Sequence, residues 1–535
     1  MAGSSQTYLS TRGGDDGLSF ETVVLKGLAA DGGLFLPEEI PLATDWQSWS
    51  DLPYAELAFR ILSLYISTDE IPADDLKDIL KRSYSNFRAD DVTPLKHLSN
   101  DLWLLELFHG PSYSFKDCTR RDLLLYIDYR LNLVAGALQF LGNLFEYFLV
   151  RKNQGKQGRD RHHLTVVGAT SGDTGSAAIC GLRGKKDVSV FILHPKGRIS
   201  PLQEKQMTTV LDDNVHNIAV NGTFDDCQDM VKALFADEET NERLKLGAVN
   251  SINWARILAQ IVYYFYAYFS LAKSSSSFKL GDKVRAVVPT GNFGDILAGY
   301  FAKRMGLPLE KLVIATNEND ILHRFWKTGR YDKKGTDGQT GGVRETLSPA
   351  MDILVSSNFE RLLWYLAFEF ASTAGMDQQW SRTQACQEVT AWLADLKNKG
   401  GFGPVYVDVL ESARRTFESE RVTDSETVQT IKKYYRDVNY VLDPHTAVGI
   451  TAAERSMART AAGLPHISLS TAHPAKFAGA VNMALETEPG FDFSRVLPAE
   501  LAALVDMETR VSTVDASWKD LREVLMKQVE EDLRE

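Results

Sequence analysis

Five apolar runs, each closing on a turn rich in Gly, Ser, Thr or Asn, set the rhythm of the middle of the chain. They are LWLLELF from Leu102, LTVVGATSGDTG from Leu164, VSVFILHP from Val188, VRAVVPTGNFGD from Val284 and KLVIATNEND from Lys311. None alternates as a half-exposed strand would, so each reads as a strand buried on both faces. A helical pattern follows each run, and strand, turn and helix in repetition predict a parallel α/β architecture. Ligands in such folds bind beyond the carboxyl ends of the strands, where these turns fall.

Before the first run the texture differs. In LPYAELAFRILSLYI, Leu57, Ile61, Leu64 and Tyr65 share one face at helical spacing, which predicts a small helical N-terminal domain over residues 1–100. We expect the α/β core over 101–330, a mostly helical small domain over 331–435, and a return to the core with C-terminal helices over 436–535. KSSSSFKLGDK (273–283) reads as a linker and KTGRYDKKGTDGQTGG (327–342) as a solvated loop; that loop follows no strand, so its glycines lack the context of a phosphate-binding turn. The longest apolar tract, Ile257 to Ala272, is short for a bilayer and includes Gln260, so it reads as a buried helix.

A chain of 535 residues exceeds what one hydrophobic core supports. The formal charge of -12 argues against a nucleic-acid surface, which needs clustered Lys and Arg, yet leaves room for a pocket that binds a small anion. Cys118, Cys180, Cys227 and Cys386 stand far apart, without the spacing of a disulfide framework or a zinc site. No metal and no membrane span is expected, and reduced thiols point to the cytoplasm.

Four stretches carry candidate chemistry. Lys116, in HGPSYSFKD, follows a strand-like run. A lysine that forms a Schiff base is partly buried, because desolvation disfavours the ammonium and frees the amine as nucleophile. A lone lysine is ordinarily a solvated side chain, so its companions decide. In VVGATSGDTGSAA, a strand, a turn with Gly172 and Gly175, and a helix start offer backbone N–H groups plus the hydroxyls of Ser171 and Thr174 to an anion. A capped helix start is the plainer reading. In VVPTGNFGDILAG, the turn Gly291, Asn292, Phe293, Gly294, Asp295 again opens a helix and suits a phosphate, without the Walker lysine or the dinucleotide glycine pattern. In LSTAHPAKFAGA, Thr471 suits a ring nitrogen, with His473 and Lys476 near it, or serves as a simple cap. Two anion nests and one amine together fit a phosphorylated aldehyde cofactor and a carboxylate substrate.

These stretches, with YLSTRG, GLAADGGLFLPE, ELFHGP, ALQFLGNLFEYFL, NSINWARI, ATNENDIL and SPAMDI, resemble the fungal and bacterial threonine synthases over nearly the whole chain. The resemblance implies a pyridoxal-phosphate enzyme of fold type II, the tryptophan-synthase-β-like fold. It implies conversion of O-phospho-L-homoserine and water into L-threonine and phosphate, by γ-elimination and β-addition of water. It implies Lys116 as the Schiff-base lysine, Gly291 to Asp295 as the cofactor's phosphate loop, and Thr471 at the ring nitrogen. Ser171 and Thr174 would take the substrate carboxylate, with Ser10, Thr11, Arg12, Asn253 and Arg256 also facing substrate; each arginine has a purely structural alternative. Family members of this type are expected as monomers or weak dimers. Another fold-type-II lyase, a dehydratase or phospho-lyase, and a non-catalytic paralogue acting as an interaction protein are the competing readings.

One segment departs from the family pattern. Members run from the Lys-Asp pair through one residue into Ala-Leu-Gln-Phe, whereas here TRRDLLLYIDYRLNLVAG, residues 119–136, intervenes. Its eighteen codons keep the reading frame, and splice-site bases fit at Cys118 and at Ala135–Gly136, so it reads as translated intron. Alternatively Leu124, Ile127, Leu131 and Val134, at helical spacing, make it a genuine surface or partner-binding helix.

Overall fold

The computed structural model describes residues 6–84, 91–109, 112–113, 136–170, 172–247, 249–334 and 342–533. Near the N terminus β1 (Tyr8–Ser10) and β2 (Phe35–Pro37) pair antiparallel. The larger sheet holds β3 (Leu95–Ser99), β4 (Leu102–Glu106), β9 (Val284–Pro289), β10 (Leu309–Thr316), β13 (Phe417–Arg421) and β14 (His466–Ser470). Its order is β13-β10-β9-β14-β4-β3, parallel throughout except where β3 meets β4. The second sheet holds β5 (Leu164–Ala169), β6 (Val188–Pro195), β7 (Val215–Asn221), β8 (Leu246–Gly247) and β15 (Ser512–Asp515), all parallel in the order β15-β7-β6-β5-β8. A last antiparallel pair joins β11 (Tyr331–Asp332) to β12 (Gly401–Phe402).

All five apolar runs are strands of the two parallel sheets, and every residue of β4, β6 and β9 is buried. That is why they lack alternation: helices cover both faces, so no position is left for solvent. The tract around Ile257 is the helix Trp254–Ser274, with sixteen of its residues buried. No helix among the described residues is long and apolar enough to cross a membrane.

In the N-terminal region the helix Tyr54–Leu62 buries Leu57 and Ile61. It stops short of Leu64 and Tyr65, whose N–H groups bond the carbonyls three residues back, Ile61 O at 3.2 Å and Leu62 O at 2.9 Å, as the last turn tightens. Tyr65 is buried regardless, its carbonyl accepting from the Tyr8 hydroxyl at 2.6 Å. β3, within the first hundred residues, adds an edge to the larger sheet rather than to this helical region.

The helices Gly136–Lys152 and Asp173–Leu182 meet backbone to backbone. A methyl on Gly142 would fall inside the Gly181 carbonyl, and one on Gly181 would stand 2.7 Å from Leu138 O. Leu138, Phe140, Leu141, Leu144, Phe145 and Phe148 of the first helix are buried in the main core.

His466 opens β14, its Nδ1 2.9 Å from Leu464 O and its Nε2 3.0 Å from the Ser456 hydroxyl. Burial holds this imidazole down to about 4, below its ordinary value of 6.5. The unfolded chain therefore binds the proton first, and the stability tied to neutral His466 is complete above 6.5 and lost as pH falls towards 4. We expect His466→Asn to lose less melting temperature than the parent between about pH 7 and pH 4. Equal slopes in thermal melts would contradict the assignment.

Candidate active site

β9, β14 and β4 are neighbours, parallel and in register, with Ser470 opposite Glu106 and Ser468 opposite Val287. The segments after Pro289, Ser470 and Glu106 therefore leave the sheet from one edge. Leu107 N donates to Ser470 O at 2.9 Å and His473 N to Tyr113 O at 3.0 Å, so the segment after β14 is tied to the one that leads towards Lys116. Lys116 itself lies outside the described residues, as do Ser171 and residues 119–135.

The turn after β9 is built to present N–H groups. Its carbonyls are tied back: Gly291 O accepts from the Ser356 hydroxyl at 2.6 Å, and Asn292 O from both Asn358 N and Asn358 Nδ2 at 3.0 Å. Phe293 takes the left-handed conformation at φ 64°, held by a ring that is buried against Phe359 at 5.3 Å. It starts the helix Gly294–Arg304 without a side-chain cap. Leu297 N is the first to reach an intrahelical carbonyl, that of Phe293, so the N–H groups of Gly294, Asp295 and Ile296 point forward without one. This donor set fits a cofactor phosphate by dipole and by hydrogen bonding.

The Asp295 side chain does not join that set. Burial pushes its carboxyl up to about 6, against the donated bonds of Tyr263 Oη at 2.5 Å and Tyr264 Oη at 2.9 Å. Thr471 is 5% exposed and its hydroxyl makes no hydrogen bond to the described residues, which fits a contact to a ring nitrogen.

The turn after β5 is less open than the sequence implies. The Thr170 hydroxyl accepts from Gly172 N and Gly175 N, both at 2.9 Å, so two of its N–H groups are already used. Thr174 stands in the first turn of the following helix.

Ser10, Thr11 and Arg12 form an ordered loop. Arg12 grips Glu360 through two parallel bonds of 3.0 Å, and the Thr11 hydroxyl donates to the same carboxylate at 2.6 Å. The Ser10 hydroxyl lies 2.9 Å from both Asp31 oxygens. Burial pushes Asp31 up, but the N–H of Gly33, the Ser10 hydroxyl, the N–H of Gly14 and the Arg12 charge more than reverse it, and the carboxyl stays below its usual range. A side chain on Gly33 would meet Ser10 Oγ, which explains why the DGG stretch accompanies this loop.

Asn253 caps the helix Trp254–Ser274 with its oxygen and donates through Nδ2 to Val24 O at 3.0 Å, so its amide is engaged at both ends. Arg256 is buried and donates to Val249 O at 3.0 Å. Sequence reasoning missed Ser356, Asn358 and Glu360, which carry no catalytic motif. The one local signal was Ser-Ser-Asn before an apolar helix, the signature of a helix start.

Comparison with known proteins agrees with this geometry. The family model described as pyridoxal-phosphate dependent enzyme matches residues 88–367, so the chain belongs to the pyridoxal-phosphate dependent enzymes. Models for the threonine synthase N terminus and C-terminal region match residues 7–84 and 446–525. Threonine synthase of Schizosaccharomyces pombe is 56% identical, with 94% of each chain covered, and that of Saccharomyces cerevisiae is 53% identical, with 97% of each covered. The crystal structure of threonine synthase from yeast superposes with a TM-score of 0.87 at 51% identity, covering 99% of both chains. The pyridoxal-phosphate-bound threonine synthase of Brucella melitensis gives 0.82 at 39% identity, covering 98% of this chain and 99% of that one. The chain belongs to the threonine synthase family.

A methyl on Gly291 would stand 2.9 Å from Ala350 O and 3.3 Å from Met351 Cα, both backbone atoms that cannot swing aside. Overpacking of this kind costs about 1–3 kcal/mol. Taken up by the turn, that weakens pyridoxal phosphate binding in Gly291→Ala by about tenfold or more. A cofactor titration checks this; unchanged affinity would remove the turn from the binding site.

Proposed function

We propose that this chain makes L-threonine and phosphate from O-phospho-L-homoserine and water, with pyridoxal phosphate held where the segments after β4, β9 and β14 converge. The observation that carries the reading is that convergence: an uncapped helix start, a buried hydroxyl and the chain leading to Lys116 leave one sheet edge together. When bound, pyridoxal phosphate supplies an electron sink that acidifies the protons beside the substrate's amino-bearing carbon. The N–H groups of Gly294, Asp295 and Ile296 hold its phosphate, and Gly291 lets the turn lie close. Thr471 would meet the ring nitrogen through a hydroxyl, a neutral partner that would not stabilise a full positive charge there as a carboxylate would.

Lys116 would be the residue that holds the cofactor, and its amine, when neutral, would serve as the general base that moves protons at the α and β carbons of the substrate. Thr174, with Ser171, takes the substrate carboxylate. Arg12 is suited to the substrate phosphate by its planar fork, and it would exchange Glu360 for that dianion. The buried surroundings of Thr471 and the turn keep water away until the phosphate has left. We place the enzyme in the cytoplasm as a monomer or weak dimer. The N-terminal match favours this reading over a dehydratase or phospho-lyase.

We further propose that residues 119–136 are not part of the working enzyme, because catalytic groups must be held to within about half an ångström and this segment begins three residues after Lys116. The purified 535-residue chain and a version lacking 119–136 are to be assayed for threonine and phosphate. The shorter form should turn over at least about a hundredfold faster, the loss expected for a misplaced catalytic group. Equal rates would restore the segment to the enzyme, and phosphate release without threonine from either form would overturn the synthase reading. In the active form, Lys116→Ala should lose the cofactor's borohydride-sensitive visible absorbance.

A further inference from the structure

Asp443, which opens the helix Pro444–Met457, is a buried carboxylate that no catalytic role absorbs. As a helix cap it accepts from His445 N at 3.0 Å and Thr446 N at 3.4 Å. Its two oxygens also hold the side chains of those residues. Oδ1 lies 2.9 Å from His445 Nδ1, and Oδ2 accepts the Thr446 hydroxyl.

Each partner leads to one of the two cofactor loops. His445 Nε2 accepts from Ala350 N at 3.1 Å, so it carries no proton, and Nδ1–H must be the group that donates to Asp443. Ala350 in turn presents the carbonyl that closes over Gly291. On the other side the Thr446 oxygen is 2.8 Å from the Ser470 hydroxyl. Thr446 has given its only proton to the carboxylate, so Ser470 donates to Thr446, and Ser470 is the residue before Thr471.

An ionised carboxylate accepts and never donates, so one group fixes the direction of every bond in both arms. Asp443, His445, Thr446 and Ser470 are each no more than 2% exposed, so water does not compete for these bonds. The helix itself is mounted tightly: a methyl on Gly449 would stand 2.8 Å from Ser468 Oγ in the middle of β14 and 3.0 Å from Pro289 Cγ at the end of β9.

We propose that Asp443 is a positioning residue that holds the Gly291 turn and Thr471 at the spacing the cofactor requires, gripping one through His445 and Ala350 and the other through Thr446 and Ser470. This rests on the reading that those two loops hold pyridoxal phosphate. A mere helix cap would leave the two arms independent of each other and of the cofactor.

The test uses cofactor-loaded protein, in whichever of the long and short forms takes up pyridoxal phosphate. It reads affinity by titration, the ring by visible absorbance and the phosphate by phosphorus NMR. In Asp443→Asn the amide cannot accept on both sides, so affinity should fall by about tenfold or more, with both the absorbance and the phosphorus signal displaced. Thr446→Val should displace the absorbance alone, Thr446→Ser should restore it, and His445→Phe should displace the phosphorus signal alone. If Asp443→Asn does not fold, these single-arm variants decide.

The proposal is overturned if Asp443→Asn binds and reads like the parent, or if each single-arm variant displaces both signals or neither. Thr471→Val is the reference. If it leaves absorbance and affinity unchanged, the assignment of the cofactor loops fails and takes the proposal with it. If it responds while the Asp443 network does not, only the coupling is lost.

Discussion

The side-by-side parallel pairing of β9, β14 and β4 is the constraint from which the site follows. These strands are far apart in sequence, beginning at Val284, His466 and Leu102, and nothing local makes the segments after them neighbours. Their apolar side chains can be buried only with helices on both faces of the sheet. Once that is done, the ladder aligns the three carboxyl ends to within a residue. A glycine turn that opens a helix, the Thr471 hydroxyl and the chain leading towards Lys116 are then delivered together by a structure whose stability comes from elsewhere.

The surroundings stiffen what the sheet aligns. Phe293 sits at an angle that ordinary side chains resist, and the aromatic cluster of Trp326, Phe359 and Phe417 holds it there. The segment 356–358 ties down the carbonyls of the turn and runs directly into the helix whose Glu360 grips Arg12. The N-terminal loop and the turn after β9 are thus fastened to one short stretch of chain. A partly buried, bidentate pair of this kind is worth more than a surface ion pair, because solvent does not screen it fully and two bonds share one ordering cost.

Much of this could be read in the sequence, for reasons that differ by residue. The five buried strands were legible because burial on both faces removes alternation, a pattern visible in any window of six residues. Gly291 and Phe293 were legible because a strand, a glycine turn and a helix start follow one another directly. Asn253 was legible as a helix cap from its place before an apolar helix, whereas its bond to Val24 O was not, because Val24 lies 229 positions away. The Thr170 hydroxyl that uses two N–H groups of the second turn was hidden because threonine at a strand's end is also an ordinary β-former. Glu360 and Ser356 were invisible because their partners, Arg12 and Gly291, lie 348 and 65 positions away, and pairing at that distance leaves no periodic trace in one sequence. Asp443 read as an ordinary helix cap, because its own partners are local and only their onward bonds to Ala350 and Ser470 are distant.

The crossing of the helices at Gly142 and Gly181 bears on how this chain can vary. Most core contacts are negotiable, since a larger side chain here can be matched by a smaller one there. At this crossing there is no side chain to trim, and the obstacle to a methyl is a carbonyl group that every residue possesses. Substitution at either position therefore has no compensating partner, and the least forgiving contact between these two helices is one to which side chains contribute nothing.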